Sequence, residues 1–470
     1  MNSDVTIVGA GLTGLTAALH LADGGRHVTI IEKALRPGGN SIKASSGING
    51  VPTMFQPVKG DSVNLFIQDT LKSGKNLCNT QLVEILAKES SDAIYWLIDQ
   101  GINLSTVSQL GGHSMPRTHR GNSKVAPGYA IISKLLEHVQ NSPNIDIQVE
   151  SQLKRIIMKN QKVAAIEYTH DGTTHTLTTS DLILASGGYA ADTEMDESLV
   201  RKYRPDLVDL PTTNADSVRG DGQKIAVRDC QVQLLDMTEI QINPTGFVDF
   251  ANVDLRNKIL CGELLRGIGG ILVSPITSKR FVDELQTRDI VSDAVFKNCK
   301  IPEGDFTKAQ KYVSIIIIDP EDYHKAQSHI NFYVSKNLLY FGTLEELTQK
   351  VHTFSTTFDE DELIQTLKSY NKGVGSEGQD EFGRKVFGEP FLSSKFYYGF
   401  TTPSLHFSMG GIAINENGQA LNQANSIITN LYAVGEIAAG VHGKNRLGGN
   451  SLLECTVFGK RAAMNILSDE

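Results

Sequence analysis

Three glycines near the start of the chain have the spacing of a phosphate-binding loop. Gly9, Gly11 and Gly14 form a G-x-G-x-x-G motif, and an acid, Glu32, follows 18 residues after the last glycine. In such a motif the first glycine permits a tight turn, the second lets a pyrophosphate approach the backbone, and the third lets a helix pack on a strand. The carboxylate can accept hydrogen bonds from a ribose. These residues predict a dinucleotide-binding site.

The sequence around the motif predicts the elements that must position it. Residues 4–8 form a β-branched apolar run that is typical of a buried parallel strand. Apolar residues then recur at helical spacing before the Gly24-Gly25 pair, namely Leu12, Leu15, Ala18, Leu19 and Ala22. Residues 27–31 predict the next strand. Strand-like segments at 181–184 and 430–435 return to this fold much later, so an inserted segment is expected between them.

A stretch of small residues favours FAD over NAD as the dinucleotide. Residues 37–41 (PGGNS) and 44–50 (ASSGING) follow directly after the second predicted strand. Small residues let the backbone run beside a long extended ligand. A plain flexible loop is the alternative interpretation of this stretch.

Composition and charge narrow the class of protein. The 470 residues are 40% hydrophobic and 21% charged, which is typical of a globular protein with two domains. A net charge of −9 argues against nucleic acid or an anionic membrane as a partner. The five cysteines form no C-x-x-C motif, so no metal site is expected. The first predicted strand leaves no room for a signal peptide, and a cytoplasmic location is expected.

Six motifs, in order along the chain, carry a resemblance to a known family. They are GGNSIKASSGING (38–50), GGHSMPRTHR (111–120), GELLR (262–266), RFVDELQTRD (280–289), HFSMGG (406–411) and GEIAAGVHGKNRLGGNS (435–451). In these motifs the chain resembles the soluble fumarate reductases, within the flavoprotein family that includes succinate dehydrogenase. The resemblance implies an α/β fold in which a discontinuous, Rossmann-like FAD-binding domain (1–239 and 407–470) carries an inserted α+β capping domain (240–406).

The resemblance and the glycine motif together imply a set of FAD contacts. Membrane-bound relatives attach the flavin through a histidine that is absent from residues 44–47, so noncovalent FAD is expected. The expected contacts are Gly9, Ala10, Gly11, Gly14, Glu32, Lys33, Gly39, Asn40, Ser41, Ser46, Gly47, Ser186, Gly187, Asp221, Glu436, Arg446, Ser451 and Leu452. Ser451 is expected to begin a helix as its N-cap.

The resemblance also implies how the substrate is bound and reduced. Flavin N5 gives a hydride to one alkene carbon of fumarate, and Arg288 gives a proton to the other. Glu263 and Arg266 match the relay that returns that proton. His406, Arg446 and Gly449 match groups at the substrate, and the planar guanidinium of Arg446 suits a carboxylate. The expected partners are a small unsaturated dicarboxylate and an external electron donor such as a reduced flavin.

Two positions depart from the family pattern. Asn243 stands where the family has a histidine that binds a substrate carboxylate, and it can donate a hydrogen bond but carries no charge. Arg219 replaces a threonine beside Asp221. A third group of residues, His113, Arg117, His119 and Arg120, forms a basic cluster to which its chemistry alone assigns no role, and it is either a functional cluster or a solvated or structural loop.

Three other functions stay open at this point. The chain could reduce another enoate, such as an acrylate, a cinnamate or urocanate. It could be the flavoprotein subunit of a membrane complex, against which the missing covalent histidine argues. It could also bind flavin without turnover, an alternative that Asn243 motivates.

Overall fold

The computed structural model describes residues 2–121, 125–194, 196–302, 310–375 and 378–468. The strands in this part of the chain are β1 (Asn2–Val8), β2 (Val28–Ile31), β3 (Ile48–Asn49), β4 (Thr106–Ser108), β5 (Thr118–Arg120), β6 (Ile145–Gln148), β7 (Gln152–Lys159), β8 (Lys162–His170), β9 (Thr173–Leu184), β10 (Leu234–Leu235), β11 (Ile240–Phe247), β12 (Ile271–Val273), β13 (Ser314–Ile318), β14 (Leu339–Thr343), β15 (Lys395–Ser408), β16 (Gly411–Ile412), β17 (Gln419–Leu421) and β18 (Ile427–Ala433).

The α-helices of the same segments are α1 (Leu12–Asp23), α2 (Val63–Ser73), α3 (Thr80–Lys88), α4 (Ser90–Asp99), α5 (Pro127–Asn141), α6 (Leu199–Tyr203), α7 (Asp221–Cys230), α8 (Leu264–Gly267), α9 (Arg288–Asn298), α10 (Gln327–Ser335), α11 (Leu344–Val351), α12 (Glu360–Gly373) and α13 (Asn450–Ser468). Side-chain caps begin several of them. Ser62 accepts a hydrogen bond from Leu65 N before α2, and Thr343 and Glu346 form a reciprocal capping box at α11. Among the described helices, none combines the length and apolar character that crossing a membrane requires.

A largely parallel sheet forms the nucleotide-binding half of the fold. Its order is β17-β18-β9-β1-β2-β6, and the antiparallel strands β7 and β8 extend it from β9. The segments 5–8 of β1, 28–31 of β2, 182–184 of β9 and 431–433 of β18 are buried, which explains why they are rich in apolar residues. The helix α1 connects β1 to β2 in the manner of a Rossmann unit, and β9 and β18 return to the sheet from far along the chain. The predicted fold class is confirmed.

A second, antiparallel sheet comes from the segment between β9 and β18. Its order is β11-β15-β13-β12, with β14 also paired to β15. Apolar side chains pack on both sides of it, with α11 and α12 on one side and α10 on the other. The strand β11 begins at Ile240 and β15 ends at Ser408. The domain bounds of 240 and 406 are compatible with these strands and stay a prediction.

The basic cluster of the sequence proves to be a buried ionic network. Arg117 is fully buried, and its guanidinium donates to both carboxylate oxygens of Asp61 and to Asp69. His113 is also buried and its Nε2 lies 2.9 Å from Gly448 O. The structural interpretation of this loop therefore holds, and the solvated one is wrong for Arg117 and His113.

Candidate active site

A cavity of about 620 Å³ lies where the parallel strands end, within the size range of cofactor and ligand sites. Residues that follow β1, β9 and β18, namely Gly9, Ala185 and Glu436, all contribute to its wall, as expected for ligands of open α/β sheets. Nearly all of the predicted FAD contacts line it, namely Gly9, Gly11, Glu32, Lys33, Gly39, Asn40, Ser41, Ser46, Gly47, Ser186, Gly187, Asp221, Glu436, Arg446, Ser451 and Leu452. Ala10 and Gly14 do not line it.

The three glycines of the motif perform different tasks. A Cβ on Gly14 would lie 2.0 Å from Gly9 O, and one on Gly9 would lie 2.5 Å from Ala185 O, so both glycines serve close packing. A Cβ on Gly11, in contrast, would meet only Ser41 Oγ at 3.7 Å. At Gly187 the corresponding position has no atom within 4 Å. Gly11 and Gly187 therefore leave room in the cavity for an extended ligand to approach the backbone, and FAD fits this wall.

Polar groups follow the wall of the cavity at its nucleotide end. Glu32 accepts hydrogen bonds from Ala10 N and Ala34 N, both at 2.8 Å, and a carboxylate has further acceptor positions for ribose hydroxyls. Lys33 Nζ forms an ion pair of 2.6 Å with Asp221. Ser186 Oγ is buried without a hydrogen-bond partner among the described residues. Burying a hydroxyl without a hydrogen bond costs free energy, so a ligand that forms this hydrogen bond is expected here, and the ligand must be polar.

Two buried carboxylates at the other end have opposite environments. Glu436 accepts from Ser408 N at 3.0 Å, and burial raises its pKa to about 7. Although burial also raises the pKa of Glu263, the positive charges of Arg288 and Arg266 bring it below its usual value. The side chain of Glu263 is therefore an anion in the protein.

Arg288 is held on two sides by hydrogen bonds. Its Nε and Nη2 donate to Glu263 Oε2 at 3.1 and 3.0 Å, and its Nη1 donates to Gln241 Oε1 at 2.7 Å. Since a guanidinium has five N–H groups, two remain available on Nη1 and Nη2. Arg288 lines the cavity, so its orientation is fixed while part of its donor capacity is left for a ligand.

The guanidinium of Arg446 has no such support. It is buried, its Nε lacks a partner, and it makes no hydrogen bond or ion pair within the described part of the chain. Its Cζ lies 4.5 Å from the centre of the Phe407 ring. Burial and then the charge of Arg288 lower the pKa of Arg446 to about 9. The charges of Glu436, Glu263 and Glu454 act in the opposite direction, but none of these carboxylates forms an ion pair with Arg446. A buried cation without an ion-pair partner at a cavity wall is a site for an anion.

His406 and Gly449 complete the wall beside this arginine. Burial, followed by the charges of Arg288 and Arg446, lowers the pKa of His406 well below 6.5, so the imidazole is neutral. Gly449 has φ +82 and a Cβ there would lie 2.3 Å from Asn49 Oδ1, which restricts this position to glycine. The predicted residues Arg288, Arg446, His406 and Gly449 are thus brought together.

Three predicted residues lie behind the wall instead of on it. Glu263 does not line the cavity and contacts it through Arg288. Arg266 Nη1 donates to Glu284 O at 2.7 Å, whereas its Nε and Nη2 are buried without partners in the described segments and make no hydrogen bond to Glu263. Asn243 is buried as well; its Oδ1 accepts from Thr245 N at 3.0 Å, and its Nδ2 has no partner in the same segments.

One predicted helix start needs correction. The helix α13 begins at Asn450, so Ser451 lies within its first turn and is not the N-cap. Asn450 is buried and its side chain bridges to Asn49, which donates to Asn450 Oδ1 at 2.7 Å. The first residue of α13 is thus held by a tertiary hydrogen bond to Asn49, a contact that the preference of serine for the N-cap position does not predict.

Two residues that sequence reasoning missed support the groups at the wall. Gln241 Oε1 accepts from Arg288, while its Nε2 donates to Arg446 O at 2.7 Å and to Asn445 Oδ1 at 3.0 Å. Thr213 Oγ1 lies 2.7 Å from His406 Nδ1. Gln241 precedes Asn243 by two residues on one strand and so shares its face, which is the one sequence signal that could have indicated it.

The protein has a parallel sheet, a glycine loop and a cavity at the carboxyl ends of the strands. These features place it in the class of FAD-binding flavoproteins. The family model described as FAD binding domain matches residues 4–452. Fumarate reductase 1 of Saccharomyces cerevisiae is 38% identical over 99% of both chains, and fumarate reductase of Schizosaccharomyces pombe is 36% identical over 99% of this chain and 90% of that one. The solved structure of an open flavocytochrome c3 fumarate reductase superposes with a TM-score of 0.77 at 30% identity, covering 99% of this chain and 78% of that chain.

The chain belongs to the fumarate reductase family of flavoproteins, and it is an FAD-dependent oxidoreductase. The family resemblance seen in the six sequence motifs is thereby confirmed.

Proposed function

We propose that the protein reduces fumarate to succinate. The observation that carries this proposal is the buried guanidinium of Arg446, which has no hydrogen-bond or ion-pair partner among the described residues and shares a cavity wall with Arg288 and His406. Two cations and a neutral ring beside one another suit a small dianion. The same cavity continues to the glycine loop, so a substrate bound here would be adjacent to the flavin end of FAD.

The reduction needs a hydride on one alkene carbon and a proton on the other. Bound reduced FAD would supply the hydride from N5. Arg446 and His406 hold the substrate carboxylates and orient the double bond, and these fixed charges stabilise the negative charge that hydride addition produces. The proton comes from Arg288. Addition of one hydride and one proton converts fumarate to succinate without any other reactant.

The carboxylate of Glu263 gives Arg288 the environment of a transient acid. At neutral pH an arginine keeps its proton at equilibrium, so the transfer must be followed by rapid reprotonation. Glu263 contacts two nitrogens of Arg288 and is electrostatically coupled to Arg266 on its other side. We assign Glu263 and Arg266 to the return of the proton. Because Arg266 and Glu263 share no hydrogen bond, this step needs a small rearrangement or a bridging water.

We also propose that the FAD is held without a covalent bond, since residues 44–47 contain no histidine. Release of the flavin from acid-precipitated protein would support this, and flavin retained in the pellet would contradict it. The electron donor is proposed to be external to the chain, and a cytoplasmic location stays a prediction.

Arg288→Ala tests the proposed acid. Under anaerobic conditions with chemically reduced methyl viologen as donor, the variant should retain the flavin spectrum of the parent and lose fumarate reduction. Arg155→Ala removes an exposed arginine and serves as the matched control, with unchanged turnover. Loss of bound FAD together with activity would mean that Arg288 is structural, and full activity would refute its role as acid.

A second candidate function is reduction of another enoate, and Asn243 is the observation that favours it. Asn243 lies behind the cavity wall, and its neutral amide adds no positive charge to a site that would hold a dianion. We therefore expect Asn243→His to preserve or raise fumarate turnover. A large loss of fumarate turnover, with acrylate, cinnamate or urocanate reduced faster by the parent, would favour the other substrate.

A further inference from the structure

Among the described residues, the ring nitrogens of His406 have one hydrogen-bond partner, and that partner is a hydroxyl. Thr213 Oγ1 lies 2.7 Å from His406 Nδ1, while Nε2 has no hydrogen-bond partner among the residues that the structure describes. Both residues line the cavity. Since a neutral imidazole has one N–H, the direction of the Thr213 hydrogen bond decides whether Nε2 offers the cavity a donor or an acceptor.

The surroundings of the hydroxyl determine this direction. The other acceptor within its reach is Leu405 O, at 3.4 Å. That carbonyl already accepts from Thr213 N at 2.9 Å, and the side chains of Thr212 and Asn214 point donors at it from 3.1 and 3.3 Å. Those two side chains have other acceptors, Ala190 O for Thr212 and His406 O for Asn214, so distance decides and not saturation of the carbonyl. At 3.4 Å, Leu405 O is a poor acceptor for the Thr213 hydroxyl.

The nitrogen Nδ1, in contrast, is close and has no second hydrogen-bond partner in the described part of the chain. The short distance and the free lone pair both favour a hydrogen bond in which the threonine donates. The proton of the ring then lies on Nε2. The depressed pKa of His406 agrees with a ring that carries only this one proton.

We propose that Thr213 is a positioning residue that fixes His406 in the tautomer with hydrogen on Nε2, so that the ring donates to a carboxylate in the cavity. The identity of that carboxylate as part of fumarate rests on the proposed function, whereas the tautomer does not. In the opposite tautomer an Nε2 lone pair would face the anion and repel it. Thr213 would thus determine substrate affinity without touching the substrate.

The wild-type tautomer can be measured without any turnover. Nitrogen-15 NMR of the FAD-loaded protein with labelled histidine distinguishes the two neutral tautomers, and a His406→Gln variant assigns the signal. We expect hydrogen on Nε2 at pH 7. Hydrogen on Nδ1 in the wild-type protein would overturn the proposal. If the enzyme reduced none of the enoates tested while Nε2 carried hydrogen, the proposed function would fail and the tautomer assignment would stand.

Two substitutions at Thr213 test the consequence for binding. Thr213→Val keeps the shape of the side chain and removes the hydroxyl, and it should raise the KM for fumarate about ten- to hundred-fold, with a smaller effect on kcat. Thr213→Ser restores the donor and should return KM to within about threefold of the parent. The flavin spectrum should be the same in all three proteins.

The results that would refute the positioning role are equally specific. A valine variant with the parental KM would show that the hydroxyl does not control the ring. A serine variant as impaired as the valine variant would show that packing of the threonine methyl group, and not its hydrogen bond, is what His406 requires.

Discussion

At the scale of single residues, two arginines at one cavity wall differ in how their charge is balanced. Arg288 donates twice to Glu263 and once to Gln241, so its charge is compensated inside the protein. Arg446 has no hydrogen-bond partner in the described structure and lies over the ring of Phe407. The hydrogen bonds of Arg288 fix its orientation and link it to Glu263 of the proposed proton relay, whereas an unpaired cation is suited to binding an anion. This contrast supports different roles for two residues of the same type.

The uncompensated charge predicts a pH dependence of substrate capture. Because the pKa of Arg446 is lowered to about 9, this group is charged below pH 9 and loses its charge as the pH rises further. We expect kcat/KM for fumarate to decrease about tenfold per pH unit above that point, since kcat/KM reports ionisations of the free enzyme. Lysine ionises with an ordinary pKa of about 10.4, so Arg446→Lys should move the decrease to lower pH.

Steady-state kinetics between pH 6 and 10.5 check this prediction. A profile that stays level to pH 10, or a decrease that Arg446→Lys leaves in place, would show that another group is responsible. The neutral ring of His406 predicts in addition that kcat/KM does not change near pH 6.5 because of this residue.

At the scale of elements, the glycines of the β1–α1 connection serve two different purposes: close packing of α1 on the strand and space for a ligand. Gly14 allows α1 to approach the strand, since a Cβ there would lie 2.0 Å from Gly9 O. Gly11 faces the cavity, and its φ of −79 is open to any residue. Gly14 is needed for the fold, and Gly11 is needed for the ligand.

Alanine substitution at these two glycines should therefore give different defects. Gly14→Ala should destabilise the protein by at least the 1–3 kcal/mol or so typical of overpacking, because the contact is with backbone that cannot rotate away. Gly11→Ala should change the free energy of unfolding by less than about 1 kcal/mol and lower the affinity for FAD, since its methyl group occupies the cavity. Denaturant unfolding and flavin titration measure the two effects. Equal loss of stability in both variants would contradict the assignment.

Much of the site could be predicted because short motifs define it. The glycine loop, Glu32 and the later strand-like segments at 181–184 and 430–435 were evident from apolar runs and turn residues. The structure places these strands side by side in one parallel sheet, with the cavity at their carboxyl ends. Thr213 and Gln241 could not be predicted in this way. Their importance comes from what β15 and α9 bring beside them, and neither spacing nor residue type reveals those tertiary contacts.

At the scale of the whole molecule, the segment inserted between β9 and β18 contacts the wall of the cavity formed by the nucleotide-binding half. The helix α10, from the inserted segment, places His329 Nε2 2.9 Å from Ser45 O in the predicted flavin loop. Tyr333, on the same helix, donates to Leu260 O at 2.9 Å and accepts from Gly262 N at 3.0 Å, next to Glu263. One helix therefore connects the cofactor wall with the residues proposed to move protons.

Because the cavity wall draws on residues from Val8 to Cys455, a ligand that fills it should stabilise nearly the whole chain. We expect FAD at one hundred times its dissociation constant to raise the free energy of unfolding by about 2.7 kcal/mol, as mass action requires. FMN lacks the adenosine half that would lie near Glu32 and Lys33, so at the same concentration it should stabilise the protein much less. Thermal unfolding of flavin-stripped protein with each nucleotide measures both effects. Equal stabilisation by FMN and FAD would mean that the glycine-loop end of the cavity contributes nothing to cofactor binding, which contradicts the dinucleotide assignment from which the mechanism is derived.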